Sequence, residues 1–304
     1  MKKEFQQRPS QTPPIPYSVA SLIDLPDPLQ QPARQSISPT DELRSICVFP
    51  GRTRLKTWYR SEYDAEQAFV FTQSGLLHVQ APASAWAEAR KIFLRAADLL
   101  YVRLHLQLMY GRLELVDEAL SRVVVEFDAT GFDILQGSLQ ELLGTACGRN
   151  TVSPSPTRLS NSVLSELESR SFKFKNGLHL YGLLPDEQLL GFVFQPAIWG
   201  QRWHLFPVRR SETTLLALTD KQCIVVEEHS RSRFPAYGWI FTFFPRRVLE
   251  KFDMTPRERW QEMRMERKGG SGWMDRSILL ESENAQAWRE LWGRFGDPGP
   301  DAST

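Results

Sequence analysis

The sequence Glu227-Glu228-His229 brings two carboxylates and an imidazole together, and such groups can hold a metal ion or act as a general acid and base. The apolar residues just before them, "CIVV", predict a strand, along which neighbouring side chains point to opposite faces. Glu227 and His229 would therefore share one face, with Glu228 on the other. The arrangement is typical of a solvated strand end, and a metal or acid–base site is the alternative.

Other motifs of catalytic chemistry are absent from the sequence. It contains no Gly-x-Ser-x-Gly, no Gly-rich phosphate loop and no His-Glu-x-x-His. Cys47, Cys147 and Cys223 are too far apart to indicate a disulfide framework or a zinc knuckle, and Cys223 is expected to be buried in an apolar strand. We therefore predict a protein that is not an enzyme, with no metal and no cofactor.

Arg52, Arg54 and Lys56 alternate with other residues in "GRTRLKTWYR". If this segment is the first strand of a sheet, the period of two places the three cations on one face. Such a face could bind phosphate or anionic lipid headgroups, with each cation contributing about 1 kcal/mol near the surface. The alternative is an edge-strand face whose charges discourage aggregation.

A second candidate is the aromatic run "RSRFPAYGWIFTFFPRRV" (231–248), which ends in Arg246 and Arg247. Aromatic rings bordered by cations suit a membrane interface, so both arginines join the candidate anion-binding or lipid-binding residues. Apolar side chains occupy nearly both faces of this strand, which favours burial between layers, between domains or against a partner. Trp239, Phe241 and Phe243 are therefore candidate partner-interface residues.

The charge balance limits the choice of partner. The 304 residues include 37 Lys and Arg against 36 Asp and Glu, a formal net charge of +1. A broad basic surface for nucleic acid is therefore not expected, although the aromatic and arginine residues could act as stacking platforms. No apolar run approaches the roughly 18 residues that cross a bilayer, and the N-terminus lacks the apolar core of a secretory signal. We expect a soluble cytoplasmic protein, at most peripheral to the inner face of a membrane.

The composition divides the chain into domains and linkers. Residues 1–42 are rich in proline, glutamine and serine, and are predicted to be a disordered tail because they cannot bury enough apolar surface to offset the entropy of ordering. Residues 148–165 have the composition of a linker, and residues 298–304 that of a second disordered tail. The length suits two domains, which we place at 43–147 and 166–297.

The two domains are related by an internal repeat. When Thr72 is aligned with Thr219, "AFVFTQSGLLHVQ" matches "LLALTDKQCIVVE", and each predicts two short apolar strands joined by a tight polar turn. Upstream, 49–59 is aligned with 184–194. Each half ends in an amphipathic helix, since leucines in the first and aromatic residues in the second recur at helical spacing.

Residues 256–267 give conflicting signals. "TPRE" resembles the capping box of a helix, with proline at its first position. The repeat predicts a strand instead, with Met263 and Met265 on one face and Arg264 on the other. We favour the strand because the repeat constrains more residues.

Four stretches of the second half resemble a known family: "LLPDEQLLGFVF", "TLLALTDKQCIVVEE", "YGWIFTFFPRRVLEKF" and "SILLESENAQAWRELW". They are similar to the pleckstrin-homology-like superfold in its bacterial form, with GRAM-type domains nearby. The resemblance covers roughly 45–147 and 170–296. It implies a bent antiparallel sheet closed by a C-terminal helix. Eukaryotic members bind phosphoinositides near the loop between their first two strands, whereas bacterial members do so less generally.

The predicted fold is therefore α+β, with two bent antiparallel pleckstrin-homology-like domains that are each closed by a C-terminal amphipathic helix. The predicted function is a non-catalytic interaction or scaffold module that binds a protein partner or associates with itself. The first alternative is peripheral binding to anionic lipid headgroups through a basic strand face. The second alternative is an enzyme of unknown type.

Overall fold

The computed structural model describes residues 13–57, 60–82, 86–148, 161–202, 206–228, 238–257, 259–267 and 273–295. The fold is mixed α and β. It contains several antiparallel sheets and a C-terminal helix, and no sheet closes into a barrel within these ranges.

The described residues of the first half form ten strands and two α-helices. They are β1 (Tyr17–Val19), α1 (Asp27–Ser36), β2 (Leu43–Phe49), β3 (Arg52–Thr57), β4 (Arg60–Asp64), β5 (Gln67–Thr72), β6 (Gly75–Gln80), β7 (Arg90–Arg95), β8 (Leu99–Gln107), β9 (Tyr110–Asp117), β10 (Arg122–Asp128) and α2 (Phe132–Ala146).

The second half contains nine strands and three helices in its described residues. They are α3 (Asn161–Arg170), α4 (Phe172–Gly177), β11 (Leu189–Gln195), β12 (Ile198–Arg202), β13 (Phe206–Ser211), β14 (Thr214–Thr219), β15 (Gln222–Glu228), β16 (Gly238–Pro245), β17 (Leu249–Arg257), β18 (Trp260–Arg267), β19 (Trp273–Glu281) and α5 (Ser282–Phe295).

The order of elements is repeated in the two halves. From β2 to α2, and again from β11 to α5, the chain forms a strand, a hairpin, three strands, a 3-10 turn, three further strands and a helix. A β-bulge occurs at the same place in the first strand of each series, between Leu43 and Ser45 and between Leu189 and Gly191. The repeat that the sequence predicts is therefore present in the backbone.

The predicted start of the first repeat is wrong. The counterpart of β11 is β2, and the basic segment that we aligned with 184–194 forms the β3–β4 hairpin. The error arises because both segments contain a proline and aromatic residues, whereas the true register is set by the pairing of β2 with β5 and of β11 with β14. The cations Arg52, Arg54 and Lys56 therefore lie on a hairpin and not on the first strand of the sheet.

The two threonines of the repeat stabilise their turns. Thr72 Oγ1 accepts a hydrogen bond from the Gly75 N–H at 3.3 Å, and Thr219 Oγ1 accepts one from the Gln222 N–H at 2.8 Å. The predicted hairpins are confirmed, with β5 paired to β6 and β14 paired to β15.

An acidic residue just before the first strand of each repeat contacts the same turn. Asp41 accepts a hydrogen bond from the Ser74 N–H at 3.2 Å. Glu187 accepts hydrogen bonds from the Thr219 hydroxyl and, at 2.8 Å, from Gln222 Nε2. The turn is thus tied to the strand that begins the repeat, which fixes the register of the hairpin against it.

One sheet crosses from the first half to the second. Its seven strands lie in the order β10-β9-β8-β16-β15-β14-β11. The crossing is the antiparallel pair of β8 with β16, which runs from Gly238 opposite Gln107 to Phe243 opposite Val102. The other sheets are β1-β2-β5-β6-β7 and β17-β18-β19, together with the hairpins β3–β4 and β12–β13.

The two halves also share a core. Phe49 and Phe69 of the first half and Phe241 and Phe243 of the second are buried in one cluster, which α2 covers. A second core lies between β14–β15, the three-stranded sheet and α5, whose Trp288 is fully buried. Because β14 and β15 lie between two cores, both of their faces are apolar. Each fully buried large side chain contributes about 1.5–3 kcal/mol.

Part of the predicted disordered tail at 1–42 is ordered. Strand β1 extends the five-stranded sheet, and α1 packs on its outer face through Leu29 and Ala33, with Leu25 buried just before the helix. Composition misses this helix because its apolar residues are few, but Leu29 and Ala33 are both buried. Residues 1–12 lie outside the described residues.

The predicted linker at 148–165 is also shorter than expected, because α3 begins at Asn161. Residues 149–160 and the predicted tail at 298–304 lie outside the described residues. The strand predicted within 256–267 is confirmed, since β18 buries Met263 and Met265 and leaves Arg264 half-buried on the other face. The C-terminal helices of both halves are confirmed as α2 and α5.

The buried carboxyl of Glu187 makes stability depend on pH. Burial raises its pKa to about 7, although hydrogen bonds from Thr219, the Leu184 N–H and Gln222 act in the opposite direction. The folded chain therefore retains a proton that the unfolded chain releases near pH 4.5, so this carboxyl lowers stability as pH rises from about 4.5 to 7. The total change is about 3 kcal/mol.

We expect Glu187→Gln, which stays uncharged, to abolish this pH-dependent part of the free energy of unfolding. Urea unfolding of both proteins at several pH values between 4 and 8 tests the prediction. The variant should gain stability relative to the wild type as pH rises, and a constant difference between the two curves would contradict it.

Candidate functional site

The predicted basic face is partly engaged within the chain. Arg52 Nε lies 3.1 Å from Asp64 Oδ2, and its Nη2 lies 2.8 Å from Glu126 Oε2. Arg54 stands opposite Glu62 in the β3–β4 register. The side chains of Arg54 and Lys56 lie outside the described residues. The charge of Arg52 is therefore already balanced by two carboxylates.

Arg246 and Arg247 bind backbone carbonyls at the ends of helices. Arg246 donates to Phe295 O at the end of α5, and Arg247 Nε donates to Ala146 O at the end of α2 at 2.8 Å. Arg247 Nη2 also donates to Leu99 O at 3.1 Å, at the start of β8. The carbonyls at the end of a helix lack intrahelical partners and carry partial negative charge, so a guanidinium is well suited to them. Arg247 thus joins the second half to the first.

The aromatic candidates lie at the junction of the two halves. Phe241 and Phe243 are buried in the shared core, and Trp239 is half-buried beneath α4, where its ring lies 5.0 Å from that of Phe174. Lys173 Nζ lies 4.7 Å above the Trp239 ring. The burial between domains that the sequence favours is thus found within the chain. A partner could reach Phe241 and Phe243 only if the shared core opened.

Glu227 and Glu228 lie on opposite faces of β15, as the strand pattern predicts, but the expected solvated strand end is wrong for Glu227, which is buried. Glu227 is buried on one face of β15, while Glu228 Oε1 accepts a hydrogen bond from Lys173 Nζ at 2.8 Å on the other. His229 lies outside the described residues. Among the residues that are described, no three metal-binding side chains cluster together.

The open edge of β10 is a site that the sequence does not reveal. β10 is the last strand of the seven-stranded sheet and pairs only with β9 there. Asp128 stands opposite Tyr110, yet its N–H donates to Pro14 O at 2.9 Å, away from β9. Backbone groups alternate in direction along an antiparallel strand. The N–H and C=O of Val124 therefore also point away from β9, and no backbone partner for them lies among the described residues.

Two neighbouring hollows lie along this edge, and we call them together the β10 groove. They have volumes of about 430 and 230 Å³. The first is lined by Gln67, His78, Gln80, Arg90, Arg112, Arg122, Val123 and Val124. The second is lined by Pro14, Phe49, Pro50, Arg52, Asp64, Ala65, Gln67, Val124 and Glu126. Both include Gln67 and Val124, so they lie next to each other along the strand.

The wall of the first hollow is cationic. It has three arginines and, in the described part of the chain, no carboxylate. Arg112 and Arg122 lie 3.5 and 3.0 Å from Glu114 Oε2, behind this wall. Burial opposes ionisation of Glu114, but hydrogen bonds from Arg122 and Tyr101 and the charge of Arg103 outweigh it and lower its pKa. Glu114 thus pairs with two of the arginines of this wall, and Arg90 adds a further positive charge.

His78 contributes no positive charge to the groove near neutral pH. Burial, assisted by the charge of Arg90, lowers its pKa to about 4. Its Nε2 lies 2.8 Å from Gln67 Oε1, so the two side chains present a fixed polar wall. The first hollow therefore combines backbone groups on an open strand edge with amide and guanidinium donors, which suits an extended chain that carries acidic side chains.

Sequence reasoning finds Arg52, which lines the second hollow, but misses the first hollow because its arginines come from three different strands. Arg90 is on β7, Arg112 on β9 and Arg122 on β10, and no local pattern connects them. The one available signal is "RVVVEFD", an apolar strand bounded by charges, which is equally typical of an interior strand.

Comparison with known proteins does not assign this chain to a family. No protein-family model matches the chain, and no curated protein matches its sequence. Within the described residues, no helix is long and apolar enough to span a membrane.

We expect Arg247→Met to lower the free energy of unfolding by about 2 kcal/mol, because the carbonyls at the end of α2 and the start of β8 lose charged hydrogen bonds. Denaturant unfolding provides the measurement. Lys251→Met is a matched control, since Lys251 is exposed and paired only with Glu266, and it should change stability by less than about 0.5 kcal/mol. Equal stability of the two variants would disprove the bridging role of Arg247.

The low pKa of His78 predicts a second pH effect. The unfolded chain takes up a proton near pH 6.5, but the folded chain does so only near pH 4. His78 therefore makes the wild type lose about 3 kcal/mol of stability as pH falls from about 6.5 to 4. In His78→Gln this loss should disappear. The same pH dependence in both proteins, measured by urea unfolding, would be evidence against a buried neutral imidazole.

Proposed function

We propose that this protein is a non-catalytic interaction module that binds an extended, acidic segment of a protein partner in the β10 groove. The bound segment would add a strand to the edge of the seven-stranded sheet, with its acidic side chains toward Arg90, Arg112 and Arg122. The observation that carries the proposal is the outward-pointing backbone of Val124 beside a wall of arginines. Strand addition supplies affinity through backbone hydrogen bonds and selectivity through alternate side chains.

We further propose that each half is a pleckstrin-homology-like domain. The repeated series of a strand, a hairpin, three strands, three further strands and a C-terminal helix supports this assignment. The two domains would then be joined by the β8–β16 pair, which leaves β10 as the exposed edge of the joined sheet.

The alternative functions have less support. Lipid binding through Arg52, Arg246 and Arg247 would need guanidinium groups that already bind carboxylates or carbonyls within the chain. Self-association by pairing of two β10 edges would bring the same arginines of both copies together, which disfavours it electrostatically. For the second alternative, an enzyme of unknown type, the described residues contain no arrangement of side chains that supports it.

The test is selection of a random ten-residue peptide library on the full-length chain, followed by measurement of Kd for synthetic copies of the selected peptides. We expect the selected peptides to carry Asp or Glu at alternate positions. Val124→Pro removes the outward N–H and should weaken their binding roughly tenfold or more. Proline is tolerated on a strand edge when its position does not donate within the sheet, so this variant should fold.

Two matched controls separate the causes. Val124→Thr keeps the backbone N–H and should retain binding. Arg90→Glu should weaken acidic peptides, whereas Arg95→Glu, on the opposite face of the same strand, should not. The proposal fails if the selected peptides are not acidic or bind Val124→Pro as well as the wild type. Binding of the wild type to anionic vesicles and not to peptides would instead favour the lipid alternative.

A further inference from the structure

A second cavity lies where the two halves meet, and we call it the inter-half cleft. It has a volume of about 450 Å³, within the range of small-molecule sites. Strands β8, β9 and β10 of the first half and β15 and β16 of the second are neighbours in the seven-stranded sheet and form one wall. Strands β18 and β19 of the second half contribute Met265 and Ile278. Neither half alone would build it.

Arg103 is the distinctive group in this cleft. It is half-buried on β8, its guanidinium lies 5.4 Å from the centre of the Tyr101 ring, and its Nε donates a long hydrogen bond of 3.4 Å to Thr242 Oγ1. Unlike Arg122, which is paired with Glu114, Arg103 forms no ion pair with a carboxylate in the described part of the chain. A partly desolvated guanidinium that lines a cavity and lacks an ion-pair partner is a strong site for an anion.

The rest of the lining limits the kind of anion. Glu114 and Glu227 also line the cleft, and their carboxyl groups disfavour a ligand with more than one negative charge. The lining also includes the apolar side chains of Phe244, Met265 and Ile278. A planar carboxylate can bind a guanidinium through two parallel hydrogen bonds, and an apolar body would cover the remaining surface.

We propose that the inter-half cleft binds a monocarboxylic acid with an apolar body, whose carboxylate pairs with Arg103 and whose body lies against Phe244, Met265 and Ile278. This site is separate from the β10 groove and does not depend on the function proposed for it. Because the ligand contacts both halves, its binding also stabilises the junction between them.

The test uses decanoate as the probe, with decanol and decyl phosphate as matched neutral and dianionic compounds, in titration calorimetry on the full-length chain. We expect decanoate to bind most tightly of the three. Arg103→Met keeps the apolar stem of the side chain and removes the charge, and it should weaken decanoate binding roughly tenfold or more without changing decanol binding.

A second pair of variants tests the charge of the cleft without disturbing the core. Leu120 lines the cleft, is 71% exposed and has a positive φ of 62°, a conformation that Asn and Asp adopt readily. Leu120→Asp should weaken decanoate binding several-fold relative to Leu120→Asn, since the two differ only in charge.

Several outcomes would overturn the proposal. They are no binding of decanoate, equal binding of decanol, tighter binding of decyl phosphate, or equal affinity of Arg103→Met and the wild type. The peptide experiment gives an independent result, because Val124 does not line the cleft and Arg103 does not line the β10 groove. Val124→Pro should therefore lose peptide binding and keep decanoate binding, and Arg103→Met should show the reverse.

Discussion

The antiparallel pairing of β8 with β16 joins a strand of the first half to a strand of the second, and the other features of the molecule follow from it. It places Phe241 and Phe243 over the first half, so that both halves bury one core. It brings the 3-10 turn after β16 against the end of α2, where Arg247 binds carbonyls of the first half. It also creates the inter-half cleft, since the cleft walls belong to strands on either side of the pair.

The arginines illustrate how similar side chains serve different purposes. Arg246 and Arg247 satisfy carbonyls at helix ends, and Arg52 balances two carboxylates. Arg90 and Arg103 have no ion-pair partner among the described residues and face cavities. The near-zero net charge of the chain does not distinguish arginines that are paired within the chain from arginines that line cavities. The distinction matters because electrostatic attraction for a ligand depends on which charges are already paired.

The two cavities lie on either side of Arg122, which lines both. Glu114 is buried between them and binds Arg122 and Tyr101, so one carboxylate organises the polar walls of both sites. The groove presents a strand edge and positive charge, which suits a peptide. The cleft presents one guanidinium and an apolar wall, which suits a small acid. The hydrogen bonds of Glu114 with Arg122 and Tyr101 thus lie between a site suited to a peptide and a site suited to a small acid.

Local interactions are well encoded in the sequence. The turns after Thr72 and Thr219, the strand that carries Met263 and Met265, and both C-terminal helices follow from periodicity and turn chemistry, because these depend on neighbouring residues. The start of the first repeat and helix α1 do not, since the first depends on strand register and the second on burial of a few side chains against β6.

The sequence by itself determined that the chain contains a duplicated series of strands ending in a helix, and that the aromatic segment around Phe241 is buried. Only the tertiary structure decided that this segment joins the two halves, that the candidate cations Arg246 and Arg247 are used for helix ends, and that Arg90, Arg112 and Arg122 meet along one open edge. The reason is physical. Periodicity reports which face of an element is apolar, whereas the partner of that face, and the charge state of a cavity wall, depend on residues distant in the chain.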